Sequence, residues 1–281
     1  MGAGFCGSGL SVVPGVVIGV VREGGCMKFR SAIRSIGLAV SAVSLLAVPA
    51  CFGVTREFAQ TYHLKSDGTL ELSNINGTVR IEGWDKEEVE VRAVKTTTDK
   101  ESKLDLVSID VNSSPDSLSI STRYPSEEGV EVAVEYTVHV PRHTLLKHIN
   151  TVNGTLRVKD LDSLGDLHTV NGNIEVYESS GNLHARTTNG NVYVELKHPA
   201  DLHGTQAETT NGSVLLAIPA DSQANLEARC MNGSFSTELP FVMEGAIQPR
   251  VLKGRLGKGG APIRLGTVNG AIRVVALRST I

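Results

Sequence analysis

The sequence predicts an all-β repeat protein, and three observations carry that prediction. The dipeptide Asn-Gly occurs seven times, at 76–77, 153–154, 171–172, 189–190, 211–212, 232–233 and 269–270. Its flanks repeat in register with it. No comparable stretch of helical periodicity follows residue 50. A β-solenoid, in which each unit is one coil and equivalent side chains stack, accommodates all three. An antiparallel meander of Asn-Gly hairpins is the alternative.

The chain has 281 residues, 41 % hydrophobic and 20 % charged, the ordinary balance of a globular protein. Aromatics make up only 4 % and the net charge is −3, so a basic, aromatic-rich surface for DNA or RNA is not expected. The first 50 residues read as a leader. Met27-Lys-Phe-Arg30 and Arg34 precede an apolar run from Ile36 to Val48 that ends in Val48-Pro-Ala50. A basic start, a short apolar stretch and small terminal residues form a secretory signal, too short to span a bilayer. Residues 1–26 then form an upstream extension, with the true start at Met27. Cleavage after Ala50 would leave Cys51 at the mature N-terminus, where Leu46-Ala-Val-Pro-Ala-Cys51 resembles a lipoprotein signal. Pro49 departs from that pattern, so both lipidation at Cys51 and ordinary cleavage stay open. A lipid there would be the chain's one link to a membrane.

Removing residues 1–50 takes away Arg22, Lys28, Arg30, Arg34 and Glu23 and deepens the net charge from −3 to −6. That suits a soluble exported protein rather than one drawn to anionic lipid. Besides Cys51, only Cys230 remains, so no disulfide framework can form and burial must stabilise the fold. The expected location is extracytoplasmic: periplasm, outer membrane or cell surface.

The mature part reads as one β-repeat domain over 51–281, with N-terminal strands over 54–141 and the Asn-Gly array over 142–281. Alternation marks strands at Thr69–Ser73, Thr78–Glu82, Val89–Ala93, Leu118–Thr122 and Val130–Val140, while polar Thr96–Lys103 reads as a loop. Pro141 ends the last of these. In the array, the central Asn residues are spaced 18, 18, 22 and 21 apart. Two positions before the Asn stand Thr151, Thr169, Thr187, Thr209 and Thr267, with Asn74 and Cys230 as exceptions. Aliphatic residues recur four before the Asn and three and five after it, except Phe235 and Thr237 in one unit. Period-2 alternation on both sides means a strand on both sides, each with one buried face. From the Thr to the next aliphatic residue is five steps, which plain alternation would place on opposite faces. A type I′ hairpin, or a corner with a left-handed residue, restores a shared face.

Recurrence of one residue type at one place in successive units favours the solenoid, where Asn and Thr would form ladders. A second turn also recurs, at Leu164-Gly-Asp-Leu167 and Ser180-Gly-Asn-Leu183. Each Asn-Gly pair, Asn76-Gly77, Asn153-Gly154, Asn171-Gly172, Asn189-Gly190, Asn211-Gly212, Asn232-Gly233 and Asn269-Gly270, is therefore expected to be a structural turn. Four of them also match the glycosylation acceptor pattern, which tight turns followed by a polar β-former explain.

The sequence resembles the bacterial "putative adhesin" family, a domain of unknown function that contains β-strand repeats. The resemblance rests on Leu70-Glu-Leu-Ser-Asn-Ile-Asn-Gly-Thr-Val-Arg-Ile-Glu-Gly-Trp-Asp85, Tyr136-Thr-Val-His-Val-Pro141, the array from Thr151 to Gly212 and Val214-Leu-Leu-Ala-Ile-Pro219. It covers roughly 54–275. It implies a β-solenoid-like domain in exported or envelope proteins, with no reaction and no catalytic residues to carry over.

Chemical candidates are few. His148, His168, His184, His203 and His139 lie near the repeats but at inconsistent offsets, so a metal site is not expected. Asp160, Asp162, Asp166, Glu175 and Glu178 are the acids that a polysaccharide-cleaving β-helix would need, yet they sit at unrelated repeat positions. The sole tryptophan, Trp84, reads as packing over a strand edge rather than as a sugar platform. Lys253-Gly-Arg-Leu-Gly-Lys-Gly-Gly260 reads as a flexible loop. The chain is thus expected to be a non-enzymatic adhesin-like envelope or surface protein without cofactor, whose partner is a protein or an envelope polymer. A polysaccharide-binding or polysaccharide-cleaving β-helix protein is the alternative.

Overall fold

A computed structural model describes residues 53–126, 129–197, 204–244 and 250–277. The leader, Met27, Cys51 and His203 lie outside the described residues. The strands, in chain order, are β1 (Val54–His63), β2 (Thr69–Ser73), β3 (Val79–Trp84), β4 (Glu88–Thr97), β5 (Ser108–Ser113), β6 (Ser117–Arg123), β7 (Ala133–Pro141), β8 (Leu145–Asn153) and β9 (Leu156–Lys159). They continue as β10 (Asp166–Asn171), β11 (Ile174–Ser179), β12 (Leu183–Asn189), β13 (Val192–Leu196), β14 (Thr205–Asn211), β15 (Val214–Ile218), β16 (Ala224–Thr237), β17 (Phe241–Met243), β18 (Val251–Leu256) and β19 (Ala261–Ala276). The segment expected as a loop after Thr96 instead completes β4 and then forms a short 3-10 helix, Glu101–Leu106, whose Leu104 is buried.

Each Asn-Gly unit is one coil with two sides. The strand before the Asn lies in one ladder, which we call the first face, and the strand after the Gly lies in the second. Along the first face β2, β8, β10, β12 and β14 pair in parallel; along the second, β3, β9, β11, β13 and β15 do the same. Parallel pairing between units excludes the hairpin meander. A coil of this kind brings the chain back to its starting side after about 20 residues, so each strand must lie parallel to its equivalent one unit away.

The coils do not stack in chain order at either end. β6 and β7 form a coil outside β2 and β3, while the chain continues from the far side of β2 and β3 at β8. At the other end β19, the last strand, lies between β14–β15 and β16. The soft boundary near 142 is not a break in the stack, since β2 and β3 pair directly with β8 and β9. Antiparallel strands finish the ends: β5 on β6, β4 on β7 with β1 beyond it on β4, and β18 on β16 with β17 beyond it on β18. The basic, Gly-rich 253–260 stretch, expected as a flexible loop, therefore supplies the last four of the six residues of β18 and the turn after it. Edge strands invite unwanted pairing, and antiparallel additions with polar exposed faces are a common way to blunt them.

The core lies between the two faces. The aliphatic position four before the Asn (Leu72, Ile149, Leu167, Ala185, Ala207, Ala228, Leu265) is buried in every coil, and so is the position three after it except at Phe235. One layer of mostly branched aliphatic side chains from each face fills the interior. At roughly 25 cal/mol per Å² of apolar area this burial is the dominant stabilising term, and Cys230, the cysteine among the described residues, is a free thiol.

Candidate functional site

The structure brings all seven Asn-Gly corners to one edge of the stack. Their side chains form a single hydrogen-bonded column in the spatial order Asn76, Asn153, Asn171, Asn189, Asn211, Asn269, Asn232. Asn153 Nδ2 donates to Asn76 Oδ1 at 2.7 Å, Asn171 to Asn153, Asn189 to Asn171, Asn211 to Asn189 and Asn269 to Asn211 at 2.8 Å, and Asn232 to Asn269 at 2.9 Å. Residues up to 77 apart in sequence thus become neighbours. Such columns need identical residues at identical places, which explains the recurrence.

The corner backbone joins the same lattice. Each Gly N–H donates to the Asn carbonyl of the next coil, as for Gly77 to Asn153 at 2.9 Å and Gly154 to Asn171 at 3.0 Å. Each Gly carbonyl accepts from the buried Thr of the next coil: Thr169 to Gly154 at 3.0 Å, Thr187 to Gly172 at 2.9 Å, and Thr209 to Gly190 and Thr267 to Gly212 at 2.8 Å. The two exceptions keep the role. Cys230 Sγ donates to the Gly270 carbonyl at 3.4 Å, and Asn74 Nδ2 donates to the Val134 carbonyl at 2.9 Å, where the outer coil has no Asn-Gly.

The geometry corrects the expected turn. No Asn of the column has a positive φ; among the described residues the non-glycine positions that do are Asp160 (56°) and Glu178 (46°). The corner is therefore neither a type I′ hairpin nor a left-handed Asn. Glycine answers two demands there: Gly77 (φ 122°), Gly212 (154°), Gly233 (159°) and Gly270 (157°) take a positive φ, and a Cβ on Gly172 would lie 2.0 Å from the Gly154 carbonyl oxygen, a clash that Gly154, Gly190 and Gly212 share. The coils approach too closely for any side chain at that point.

Two further columns flank the Asn. On the first face stand Ile75, Val152, Val170, Thr188, Thr210, Val268 and Met231, of which Val152 and Val268 are 39 % exposed and Met231 47 %. On the second stand Thr78, Thr155, Asn173, Asn191, Ser213, Ala271 and Ser234. Asn173 Oδ1 accepts from the Asn191 amide at 2.9 Å and Asn191 Oδ1 from the Ser213 amide at 2.8 Å.

Three of the acids singled out in the sequence are paired with basic side chains. Glu175 takes both Nε and Nη2 of Arg157, at 2.8 and 2.7 Å. Asp160 binds Lys197 Nζ at 2.7 Å, with Arg142 at 3.6 Å and Lys159 at 3.7 Å, and Glu178 reaches Lys197 at 3.8 Å. Burial works to raise the Asp160 carboxyl, but the Lys197 hydrogen bond and the surrounding cations hold it below its ordinary value. Asp166 lies between His148 (3.9 Å) and His184 (3.5 Å), and Asp162 near His143 at 3.6 Å. Every carboxyl shift resolved is downward, at Asp160, Glu208 and Glu227. A glycosidase acid needs the opposite. Among the described residues no group of three His, Cys, Asp or Glu is placed to hold a metal ion. Trp84 stacks on His139 at 5.2 Å, donates Nε1–H to the Glu88 carbonyl and carries Lys86 Nζ over its ring. Its face is occupied by the protein's own side chains.

Sequence reasoning missed the cation cluster around Asp160 and the left-handed conformations of Asp160 and Glu178, which are 18 residues apart and adjacent in the stack. Neither is Gly or Asn, so composition gave no signal. It also missed the role of the residues just before each Asn, which vary in type and become a column only once the coils are stacked.

No curated protein matches the sequence. Several solved structures resemble the chain at low identity. One described as a "putative cell adhesion protein", from Clostridium sporogenes, has 12 % identity and a TM-score of 0.42, over 79 % of this chain and 100 % of its own. A "putative adhesin" from Bacteroides fragilis has 10 % identity and a TM-score of 0.33, over 79 % and 97 %. A "putative lipid binding protein" from Parabacteroides distasonis has 12 % identity and a TM-score of 0.28, over 81 % and 97 %. A family model described as Toastrack DUF4097 matches residues 56–275. That span takes in every coil and the whole Asn column, and the chain belongs to the Toastrack DUF4097 family.

Proposed function

We propose that this protein is a non-enzymatic, adhesin-like β-repeat module of the cell envelope or surface, exported by the leader before residue 51 and acting by binding or as a scaffold. The observation that carries this reading is the Asn-Gly edge. Its repeated residues are used to hold the coils in register, and the result is a long, rigid, solvent-facing surface rather than a cleft. Binding by rigid surfaces avoids the ordering cost that flexible loops incur. The pairing of Asp160, Glu175 and Glu178 with basic side chains supports the non-enzymatic half of the reading.

The test has two readouts on the full chain. Expressed from Met27, it is expected to lose its leader and appear outside the cytoplasm; retention in the cytoplasm contradicts export. A Cys51→Ser variant distinguishes the two cleavage readings, because only a lipidated protein loses membrane association on that change. Incubated with envelope polysaccharides, the protein is expected to release no reducing ends or unsaturated products. Sustained turnover would overturn the non-enzymatic reading.

A further inference from the structure

The strip along the Asn edge holds no charged side chain. From the residue before each Asn to the residue after each Gly, all seven coils supply only Ile, Val, Met, Thr, Ser, Asn, Ala and Gly, in a chain of which 20 % is charged. Charges begin at the next outward position on both sides. On the first face these are His168, Arg186, Glu208 and Arg229; on the second, Arg80, Arg157, Glu175 and Arg273. Several neutralise one another, as in Arg186–Glu208 and Arg157–Glu175, both at 2.7 Å. The strip is thus an uncharged lane between charged margins.

Its hydrogen-bonding capacity is regular and half unused. A side-chain amide has two N–H donors and two acceptor lone pairs. The column uses one of each within the stack, so each inner Asn keeps one donor and one acceptor for an outside partner. Six of the seven Asn are exposed. At a strand spacing of about 4.8 Å, seven rungs give a lane roughly 30 Å long. Beside it, Ile75, Val152, Val170, Val268 and Met231 present methyl groups, and Thr188 and Thr210 present hydroxyls.

We propose that this lane is a binding surface for a neutral, extended glycan. Resting on the adhesin-like reading above, the proposal specifies where binding occurs and what is bound. A sugar chain offers hydroxyls as both donors and acceptors, which the spare amide positions match, and C–H faces, which the methyl column matches. Anionic or cationic polymers would gain no pairing charge within the lane, and their charged groups would lose hydration there without an opposite charge to compensate. The rigidity of the ladder means that little side-chain entropy is lost on contact.

The experiment is co-sedimentation of the full chain with insoluble neutral glycans (a β-glucan and chitin), an anionic uronate gel and a cationic chitosan. Val152→Lys and Thr210→Lys place charge on the lane without touching the Asn or Gly. Ser236→Lys places the same charge on the second face. The expected result is capture by at least one neutral glycan, unchanged at high salt, weakened about 10-fold or more by either lane variant and unaffected by Ser236→Lys. Thermal unfolding of the variants confirms that they are folded. Capture only by a charged polymer, salt-sensitive capture, capture indifferent to the lane variants, or no capture by any neutral glycan each overturns the proposal. A dimer that the lane variants dissociate would show that the lane receives a second copy instead, and would equally overturn it. Glycan capture that survives both lane variants leaves the adhesin-like reading standing and removes only this surface.

Discussion

At the scale of single residues, Asn, Gly and Thr each answer a different demand of the corner. The Asn amide links neighbouring coils, the Gly lets their backbones touch, and the Thr hydroxyl satisfies the Gly carbonyl that would otherwise be buried without a partner. The costs of removal should rank accordingly. Asn171→Ala and Asn189→Ala remove exposed hydrogen bonds and are each expected to destabilise by about 1 kcal/mol in urea unfolding. Thr187→Val leaves the Gly172 carbonyl without its donor in a buried place, and a loss of about 1–2 kcal/mol is expected. Gly172→Ala forces a methyl onto the Gly154 carbonyl oxygen, which neither coil can yield, and a loss of about 3 kcal/mol is expected. Equal effects for Gly172→Ala and Asn171→Ala would contradict the close-approach explanation. The dipeptide was legible in the sequence as a turn, but its reason was not. Positive φ, as at Gly77, Gly212, Gly233 and Gly270, and close approach both select glycine, and only the stacked neighbours reveal the second.

At the scale of elements, the aliphatic alternation announced most strands, because one buried face per strand leaves a period of two, though it did not place β1, β5, β17 or β18. The exceptions are instructive. β18 escaped notice because its Lys, Gly and Arg residues suit an exposed edge strand as well as a loop. The 3-10 helix at Glu101–Leu106 has a single buried residue, too few for a periodic signal. β7 carries a test of its own. Its Tyr136 is buried in the end coil, with its hydroxyl 2.7 Å from Thr122 Oγ1 on β6. Burial pushes its phenol from 10.0 up to about 12. The folded form therefore holds the proton more tightly than the unfolded form. The stability this contributes is present below pH 10.0 and is lost as the pH rises towards about 12. Urea midpoints should fall over that window, and Tyr136→Phe should reduce the slope of the fall. An unchanged slope would mean that Tyr136 is not buried as described.

At the scale of the whole stack, the sequence announced coils but not their order. Hydrophobic patterning fixes which face of a strand is buried, while the neighbour each strand chooses depends on loops and on the ends of the stack. Nothing in 261–276 marks it as an inserted coil rather than a terminal one, since both positions need the same pattern. The consequence for the binding lane is direct: Val268 and Asn269 complete a surface whose other rungs lie far away in sequence. Neighbouring coils of the central array lie only 18 or 22 residues apart, whereas the end coils join residues 58 and 77 apart, so closing the ends is expected to be slower than stacking the centre.

The central claim is that the Asn-Gly units form one parallel column with the last coil inserted next to the unit of Asn211. Stacked equivalent residues should have Cα atoms about 4.8 Å apart, within the range of roughly 4.4–6.8 Å that a disulfide spans. The direct measurement is paired cysteine substitution in a Cys230→Ser background, read by oxidation and mobility on non-reducing gels. Thr210→Cys with Val268→Cys, and Val268→Cys with Met231→Cys, are expected to crosslink, whereas Thr210→Cys with Met231→Cys is not. Crosslinking of the 210–231 pair without the 210–268 pair would contradict the stack described.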